Sequence, residues 1–149
     1  MDGLLADSAW YLKEVEGFLA DYRSPLRLSV IGESGFPLIC SLWFVYEEGR
    51  LLCATTRQAK VVECLRANPR CGFEIATNEP PYFGVRGQGV ANVSSDGASD
   101  LLGSLVDRYL GSRETKFAGW LLSRSADEVT IEIEVRWMTS WDYTGRMAN

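Results

Sequence analysis

The sequence predicts a single α+β domain with a β-barrel core, spanning residues 1–149, and three observations support this prediction. Residues 128–143 alternate apolar and polar side chains, which is typical of a strand with one buried and one wet face. Residues 36–46 form an apolar run rich in aromatics, as in a well-buried strand. Gly84, Gly87 and Gly89 interrupt the strand predicted at 82–94. They fit a strand that bends around a barrel, although close approach by a ligand or a partner backbone would explain them equally.

Six strands and four helices are predicted along the chain. The strands are residues 26–31, 36–46, 51–55, 70–76, 82–94 and 128–143. The helices, at 7–22, 57–67, 100–110 and 114–123, carry apolar residues at helical spacing. Gly49 marks a tight turn between two strands, and Pro25 and Pro69 end the first two helices. With strands first and last, the helices are expected to pack around the barrel.

Composition excludes several classes of protein. The chain is 46% hydrophobic, which is too apolar for a disordered protein. Its 15 basic and 20 acidic residues give a net charge of −5, and the basic residues are scattered, so no nucleic-acid partner is expected. No apolar run is long enough to span a membrane, and Asp2 and Asp7 lie where a signal peptide carries basic residues. We therefore expect a cytoplasmic protein with no membrane partner.

The chain contains no histidine. This excludes a Ser-His-Asp triad, zinc sites that use histidine and histidine-ligated haem. The cysteines Cys40, Cys53, Cys64 and Cys71 form no Cys-x-x-Cys pair, and none has a recognisable activating base. We therefore predict buried free thiols and no metal site.

The predicted helix at 57–67 opens with two cations. A helix N-terminus carries partial positive charge and favours acidic residues, yet Arg57 and Lys60 stand here behind Thr55 and Thr56. Free backbone N–H groups, hydroxyls and an ammonium group all donate to phosphate, so this pattern indicates a phosphate site. The alternative is an N-cap on Thr56 with two solvated cations. Ala59 stands where a capping box would carry an acidic residue.

The order of the motifs resembles the FMN-binding split β-barrel family typified by pyridoxamine 5′-phosphate oxidase. The shared features are a Gly-x-Pro strand start, a hairpin, a threonine-bearing strand end before a lysine-bearing helix, a Leu-Arg-x-Asn-Pro helix end and a Gly-x-Ala strand. They correspond to Gly35, Pro37, Thr55, Thr56, Lys60, Leu65, Arg66, Asn68, Pro69, Gly89 and Ala91. The resemblance covers nearly the whole chain. It implies a six-stranded antiparallel Greek-key-like split β-barrel that binds flavin, with peripheral helices and the helix at 7–22 packed on it.

The resemblance also implies a set of cofactor-binding residues. In the family, the strand after the Gly-x-Pro start lies along the flavin ring and ribityl chain, which here corresponds to Cys40, Ser41, Leu42, Trp43 and Phe44. The phosphate would lie against Ala54, Thr55, Thr56 and Lys60. The family pattern has adjacent Arg and Lys in this helix, whereas Ala59 precedes Lys60 here, so Arg57 would have to compensate. Arg86 corresponds to a strand arginine near the cofactor.

Trp137 and Trp141 stand close together near the C-terminal end of the last predicted strand. Indole offers a large rigid face, so Trp141 would flank a planar cofactor. A cap on the barrel end or a dimer interface would explain the pair equally well.

The resemblance implies an FMN-binding oxidoreductase that moves hydride between its flavin and a small substrate or electron donor. It also implies a homodimer whose flavin sites are shared by both chains. The chain lacks the histidine-containing C-terminal segment of pyridoxamine 5′-phosphate oxidase itself, so the substrate is open and no catalytic residue is assigned. Two alternatives stand beside this interpretation: a deazaflavin-dependent reductase, for which Arg27 and Arg57 would bind the more anionic tail, and a non-catalytic or sensing module with or without flavin.

Overall fold

The computed structural model describes residues 3–148, and in that range it contains seven strands and four helices. The helices are α1 (Leu12–Asp21), α2 (Lys60–Ala67), α3 (Ala98–Leu110) and α4 (Lys116–Ser123), and a 3-10 turn (Ser125–Asp127) follows α4. The strands are β1 (Leu26–Ile31), β2 (Pro37–Leu42), β3 (Val45–Glu47), β4 (Arg50–Thr56), β5 (Arg70–Ala76), β6 (Phe83–Ser94) and β7 (Glu128–Asp142). None of the described helices is long and apolar enough to cross a membrane. Asp2 lies outside the described residues.

The seven strands form one antiparallel sheet that closes on itself. The strand order is β2-β1-β5-β6-β7-β4-β3, which places β2 and β3 at opposite edges. Only Trp43 and Phe44 separate these two strands in the chain. Because three residue steps span at most about 11 Å, the two edges must lie close together, and β2 indeed contacts β4. The sheet is therefore curled into a barrel, and the predicted α+β barrel with peripheral helices is confirmed.

The inward faces of the strands form the core. In β1, the buried residues Leu26, Leu28 and Val30 alternate with the more exposed Arg27 and Ser29. The same period of two appears in β4, β5 and most of β7, as expected for strands with one face turned inward. Helix α2 contacts β1 and β6 and adds its own buried apolar residues to this core.

The predicted strand at 36–46 is two strands, β2 and β3, so the sheet has seven strands instead of the six expected. The interruption falls at Trp43 and Phe44. The backbone N–H of Phe44 donates to the Tyr109 hydroxyl at 3.3 Å instead of to a neighbouring strand. The Phe44 side chain is fully buried, and the Trp43 ring stacks on Tyr109 with their centroids 4.9 Å apart. Contacts with α3, distant in sequence, therefore end the strand.

The N-terminal helix is shorter than the predicted range 7–22, because α1 begins at Leu12. The segment before it lies along β7 instead. The backbone N–H of Ala9 donates to the Ser140 carbonyl at 3.0 Å, and the hydroxyls of Ser8 and Ser140 are 2.8 Å apart. Short polar side chains such as Ser8 readily form such bonds at the expense of helix.

The predicted helix at 57–67 begins three residues later, at Lys60, with Ala59 as its N-cap residue. Thr56 still belongs to β4, and the Arg57 N–H donates to the Asp127 carbonyl at 2.8 Å. The prediction that Arg57 lies in the first helical turn is therefore wrong, as is the alternative of an N-cap on Thr56. The other predicted boundaries agree with the structure within two residues, the usual uncertainty of helix and strand ends.

Candidate functional site

A cavity of about 400 Å³ opens where the ends of β2 and β4 meet α3 and α4; we call it the α4 cavity. Six of the predicted cofactor-binding residues line it: Ser41, Leu42, Trp43, Ala54, Thr55 and Thr56. Leu102 and Leu105 of α3 form its inner wall. Its volume lies in the range of about 300–1,000 Å³ typical of small-molecule sites.

One wall of the α4 cavity is held rigidly by an aromatic pair. The rings of Trp43 and Tyr109 are stacked, with an angle of 5° between their planes. The Tyr109 hydroxyl donates to the Ser24 carbonyl at 3.0 Å and accepts the Phe44 N–H. Burial raises the pKa of Tyr109. The hydroxyl therefore stays protonated and able to donate, and Trp43 is fixed before any ligand arrives.

Strand pairing brings a carboxylate to the same cavity. Thr56 in β4 lies opposite Glu128 at the start of β7, and Glu128 lines the cavity beside Thr55 and Thr56. Glu128 Oε2 is buried and has no hydrogen-bond partner among the described residues. Burial raises the pKa of Glu128, although the nearby Arg124 charge opposes this effect. An unpartnered buried oxygen is costly, so this carboxylate can accept a hydrogen bond from a ligand donor.

Helix α4 presents aromatic rings at the mouth of the cavity. Phe117 and Trp120 are stacked with centroids 6.1 Å apart, and about half of each side chain is exposed. The Arg124 guanidinium lies 5.0 Å from the Trp120 ring centroid. Ala118 is the only buried residue of α4, although most of this helix is apolar. The mouth therefore offers a flat apolar surface beside a cation, which suits a ring that carries an anionic group.

Two of the predicted cofactor residues belong to the barrel instead of the cavity lining. Cys40 is half-buried, and burial raises its pKa. Phe44 is fully buried under the Arg108 guanidinium, which lies 5.0 Å from its ring centroid. Both lie next to residues that line the α4 cavity, and they support its wall from inside.

The two cations that suggested a phosphate site lie outside the α4 cavity. The Lys60 ammonium pairs with the Glu63 carboxylate at 3.1 Å, and Lys60 lines a different depression beside Gly32 and Gly35. Arg57 is exposed, and its Nη2 donates to the Ala126 carbonyl at 3.3 Å. The structure therefore does not bring Lys60 together with Thr55 and Thr56 around one cavity.

Arg86 and Trp141 lie together, but on another face of the sheet. The Arg86 guanidinium is 5.3 Å from the Trp141 ring centroid. Arg86 lines a groove on the outer face of β1, β5 and β6 together with Arg27, the cross-strand neighbour of Ser41 in the α4 cavity.

Sequence reasoning missed the residues that α4 and the start of β7 contribute: Phe117, Trp120, Leu121, Arg124 and Glu128. They are more than 60 residues from Thr56 in the chain, and the pairing of β4 with β7, with the packing of α3 on β4 and α4, brings them to it. The available signal was the mostly apolar segment of α4, which is more apolar than a surface helix needs.

The cysteines are free thiols, as predicted, with three buried and one half-buried. Burial raises the pKa of Cys71 to about 11 and also raises that of Cys53. Such thiols are almost entirely protonated at neutral pH, which disfavours nucleophilic chemistry. No cluster of metal-ligating side chains occurs in the described part of the chain.

Comparison with solved structures identifies the fold. A conserved hypothetical protein from Mycobacterium tuberculosis aligns with a TM-score of 0.80 and 22% identity, over 98% of this chain and 93% of its own. An F420 reductase aligns with a TM-score of 0.65 and 22% identity, over 81% of this chain and 93% of its own. A candidate pyridoxamine 5′-phosphate oxidase from Listeria innocua gives a TM-score of 0.65 at 14% identity, over 89% of this chain and 97% of its own.

No protein-family model and no curated protein matches the sequence. The structural similarities therefore show the fold, and they agree with the resemblance that the motifs indicated. The chain has the split β-barrel fold of the pyridoxamine 5′-phosphate oxidase-like, flavin-binding proteins.

Proposed function

We propose that this protein binds FMN in the α4 cavity and acts as a flavin-dependent oxidoreductase. One observation carries the proposal: six of the residues that the sequence predicted to contact the cofactor, from the end of β2, the residue after it and the end of β4, line this one cavity. Aromatic rings and leucines supply most of the remaining lining. An apolar cavity with a few polar groups at one end is the usual form of a cofactor site.

The ring system of the cofactor suits the aromatic walls. Trp43 is held on one side by Tyr109, and Phe117 and Trp120 form the opposite platform at the mouth. Offset stacking on such rings favours a planar heterocycle. The unpartnered oxygen of Glu128, beside Thr56, would accept a hydrogen bond from a ribityl hydroxyl, which would remove the cost of its burial.

The phosphate would bind at the polar end of the cavity. Thr55 and Thr56 supply hydroxyls there, and Arg124 supplies the cation. Lys60 was the sequence-based candidate for this role, but its ammonium pairs with Glu63 beside a different depression. We therefore propose Arg124 as the phosphate-binding cation and treat Lys60 as the competing candidate.

Bound flavin would supply hydride and electron transfer, which no side chain of the cavity can perform. The protein would bind and orient the ring and exclude water from it. Leu102 and Leu105 are buried behind the cavity and shield its inner end from solvent. The site would take its small substrate or electron donor from the open mouth beside α4.

We also propose a homodimer that covers this mouth. The aromatic surface of Phe117 and Trp120 is half-exposed in the single chain, and five of the eight residues of α4 are exposed. A second copy over this surface would bury it and complete the pocket from both chains. The free cysteines fit a protein of the cytoplasm, where thiols stay reduced.

A deazaflavin is the second candidate cofactor, because one protein of the same fold is an F420 reductase. Its anionic tail would extend past the polar end of the cavity. Arg57 lies on that side, hydrogen-bonded to Ala126 just beyond Arg124. The non-catalytic alternative differs in outcome, since its bound flavin would not be reduced by nicotinamide donors or turned over with any acceptor.

The test is the absorption spectrum of the purified protein, followed by titration with FMN. Oxidised flavin, deazaflavin and a colourless protein give different spectra. We expect saturable FMN binding that Ala54→Phe blocks by filling the cavity, and that Trp43→Ala weakens by removing a stacking wall. Circular dichroism of both variants controls for folding. Equal FMN affinity in the wild type and in both folded variants would show that the α4 cavity is not the flavin site.

A further inference from the structure

Helix α4, which forms the outer wall of the α4 cavity, is loosely attached to the rest of the chain. Five of its eight residues are exposed, and Ala118 alone is buried. Elements with few buried apolar contacts open locally at a low cost in free energy. Because Phe117, Trp120 and Leu121 line the cavity, the position of α4 sets how far its mouth is open.

The C-terminal end of α4 is fixed by backbone hydrogen bonds. The Arg124 N–H donates to the Leu121 carbonyl at 3.1 Å, and the 3-10 turn follows directly. In that turn the Asp127 carbonyl accepts the Arg57 N–H at 2.8 Å, which ties the turn to the end of β4. Strand β7 begins at the next residue, Glu128, and pairs with β4. This end of α4 therefore stays on the sheet.

One side chain ties the N-terminal end of α4 to α3. Arg113 lies in the loop 111–115 between the two helices. Its guanidinium donates twice to the Asp107 carboxylate, from Nε to Oδ1 at 2.8 Å and from Nη2 to Oδ2 at 3.0 Å. Such a bidentate pair fixes direction as well as distance. Only Glu114 and Thr115 separate Arg113 from the first residue of α4, so the pair sets where α4 leaves α3.

The guanidinium of Arg113 lies over a glycine of α3. Gly103 is buried in the middle of α3, one turn before Asp107. A Cβ at this position would be 2.8 Å from Nη2 of Arg113, and the three atoms nearest to it would all belong to that guanidinium. Glycine is, after proline, the least favourable residue in a helix interior. Its presence here gives Arg113 room to lie on α3.

The ion pair is exposed, which limits what it can do. Slightly more than half of each of the two side chains is accessible to solvent. The hydrogen bond from Arg113 lowers the pKa of Asp107, so the carboxylate is ionised at neutral pH. Exposed ion pairs contribute little to global stability and are screened by salt. Such a pair is too weak to decide whether the domain folds, but it can hold one loosely packed helix in place.

We propose that Arg113 and Asp107 form a latch, lying on Gly103, that keeps α4 across the mouth of the α4 cavity and so gates the entry and exit of the ligand. Arg113 is a positioning residue, because it acts through α4 and not on the ligand. When the pair breaks, the N-terminal end of α4 moves away from α3 while its C-terminal end stays on the sheet. The latch rests on α3 and α4 alone, whereas the identity of the gated ligand rests on the proposed flavin site.

A gate has a kinetic signature that a ligand contact lacks. The latch joins two parts of the protein, so breaking it destabilises the closed form equally with and without ligand. The rate constants for association and dissociation should then rise by the same factor, and the dissociation constant should stay unchanged. Loss of a contact to the ligand instead raises mainly the dissociation rate constant.

The first experiment is hydrogen exchange of the full chain without ligand, read by mass spectrometry on peptides from residues 114–124. An eight-residue helix without its support is unstable, so the amides of α4 exchange when the latch opens. Arg113→Gln should raise exchange in α4 about two- to fivefold and leave exchange in α1 and α2 unchanged. Gly103→Ala should do the same by displacing the guanidinium, although alanine favours helix.

Two controls accompany the exchange experiment. Arg66→Gln removes an exposed charge from α2 and should leave exchange in α4 unchanged. Raising the salt concentration to about 1 M should accelerate α4 exchange in the wild type but not in Arg113→Gln, because salt screens only a pair that is present.

The second experiment is stopped-flow mixing with FMN. Arg113→Gln should raise both rate constants by about the factor seen in hydrogen exchange, and Asp107→Asn should add nothing to this effect in the double variant. An increase in the dissociation rate constant alone would make Arg113 a ligand contact. Unchanged rate constants would show that α4 is no gate, and either result overturns the proposal.

Hydrogen exchange separates the latch from the flavin assignment. Equal α4 exchange in the wild type and in Arg113→Gln overturns the latch, as would occur if a second copy of the chain held α4 in place. Equal acceleration in all helices also overturns it, because that result means global destabilisation. If α4 responds as expected but the wild type binds no FMN, the flavin assignment fails and the latch is retained.

Discussion

Replacing Arg108 with alanine should destabilise the protein strongly, because this side chain ties α3 to the end of α1. Its guanidinium donates to three carbonyl oxygens at the C-terminal end of α1: Leu19 at 2.9 Å, Ala20 at 2.6 Å and Tyr22 at 2.8 Å. The last carbonyls of a helix have no partner within the helix. Hydrogen bonds from a charged donor contribute about 1.5–3 kcal/mol each, and water replaces part of this when the side chain is removed. We therefore expect Arg108→Ala to cost about 3 kcal/mol, or about 6–12 °C in melting temperature.

The assay is urea unfolding followed by far-ultraviolet circular dichroism, in which the midpoint should fall while the slope stays constant. Arg108→Lys keeps the charge but cannot reach three carbonyls from one ammonium, so its loss should be intermediate. Arg66→Ala removes an exposed arginine of α2 and should change stability by less than about 0.5 kcal/mol. A loss below about 1 kcal/mol for Arg108→Ala would refute the reasoning, because it would mean that water serves these carbonyls equally well.

Two further substitutions test the barrel and the cavity. Gly87→Ala should lower the free energy of unfolding in urea by at least about 2 kcal/mol, because its methyl group would collide with the Trp137 carbonyl. The control is Gly119→Ala on α4, whose methyl group meets open space and which should be neutral or stabilising. Equal effects of the two substitutions would contradict the packing argument. Glu128→Gln should raise the melting temperature near neutral pH and have no effect below about pH 4. Burial raises the pKa of Glu128 above its ordinary value of 4.5, so the ionised carboxylate costs stability once the pH rises through the folded-state pKa. A rise in melting temperature that occurs only at acid pH would contradict this expectation.

Local patterns predicted most of the barrel correctly. In β1 and β7 apolar residues alternate with polar ones, and in α3 they recur at helical spacing. These spacings show which face of each element is buried, so the elements can be predicted from the sequence alone. The errors fall where distant contacts override local preference. The Tyr109 hydroxyl binds the Phe44 N–H and interrupts the strand, and Ser140 draws the Ser8 segment away from α1.

In the candidate site, too, local patterns predict some residues and contacts distant in sequence supply the others. Residues of β2 and β4 that line the α4 cavity are close in sequence and carry recognisable motifs. Arg124 and Glu128 reach the cavity only because β7 pairs with β4, which no local pattern reveals.

The measurement that tests the central claim most directly compares FMN with riboflavin in Arg124→Gln and in Lys60→Gln. A charge-assisted contact to phosphate contributes about 1.5–3 kcal/mol, so removing it should weaken FMN binding roughly tenfold to a hundredfold and hardly affect riboflavin, which lacks the phosphate. If FMN binds in the α4 cavity, Arg124→Gln shows this selective loss and Lys60→Gln does not. A selective loss in Lys60→Gln with unchanged affinity in Arg124→Gln would place the phosphate beside α2 and contradict the account.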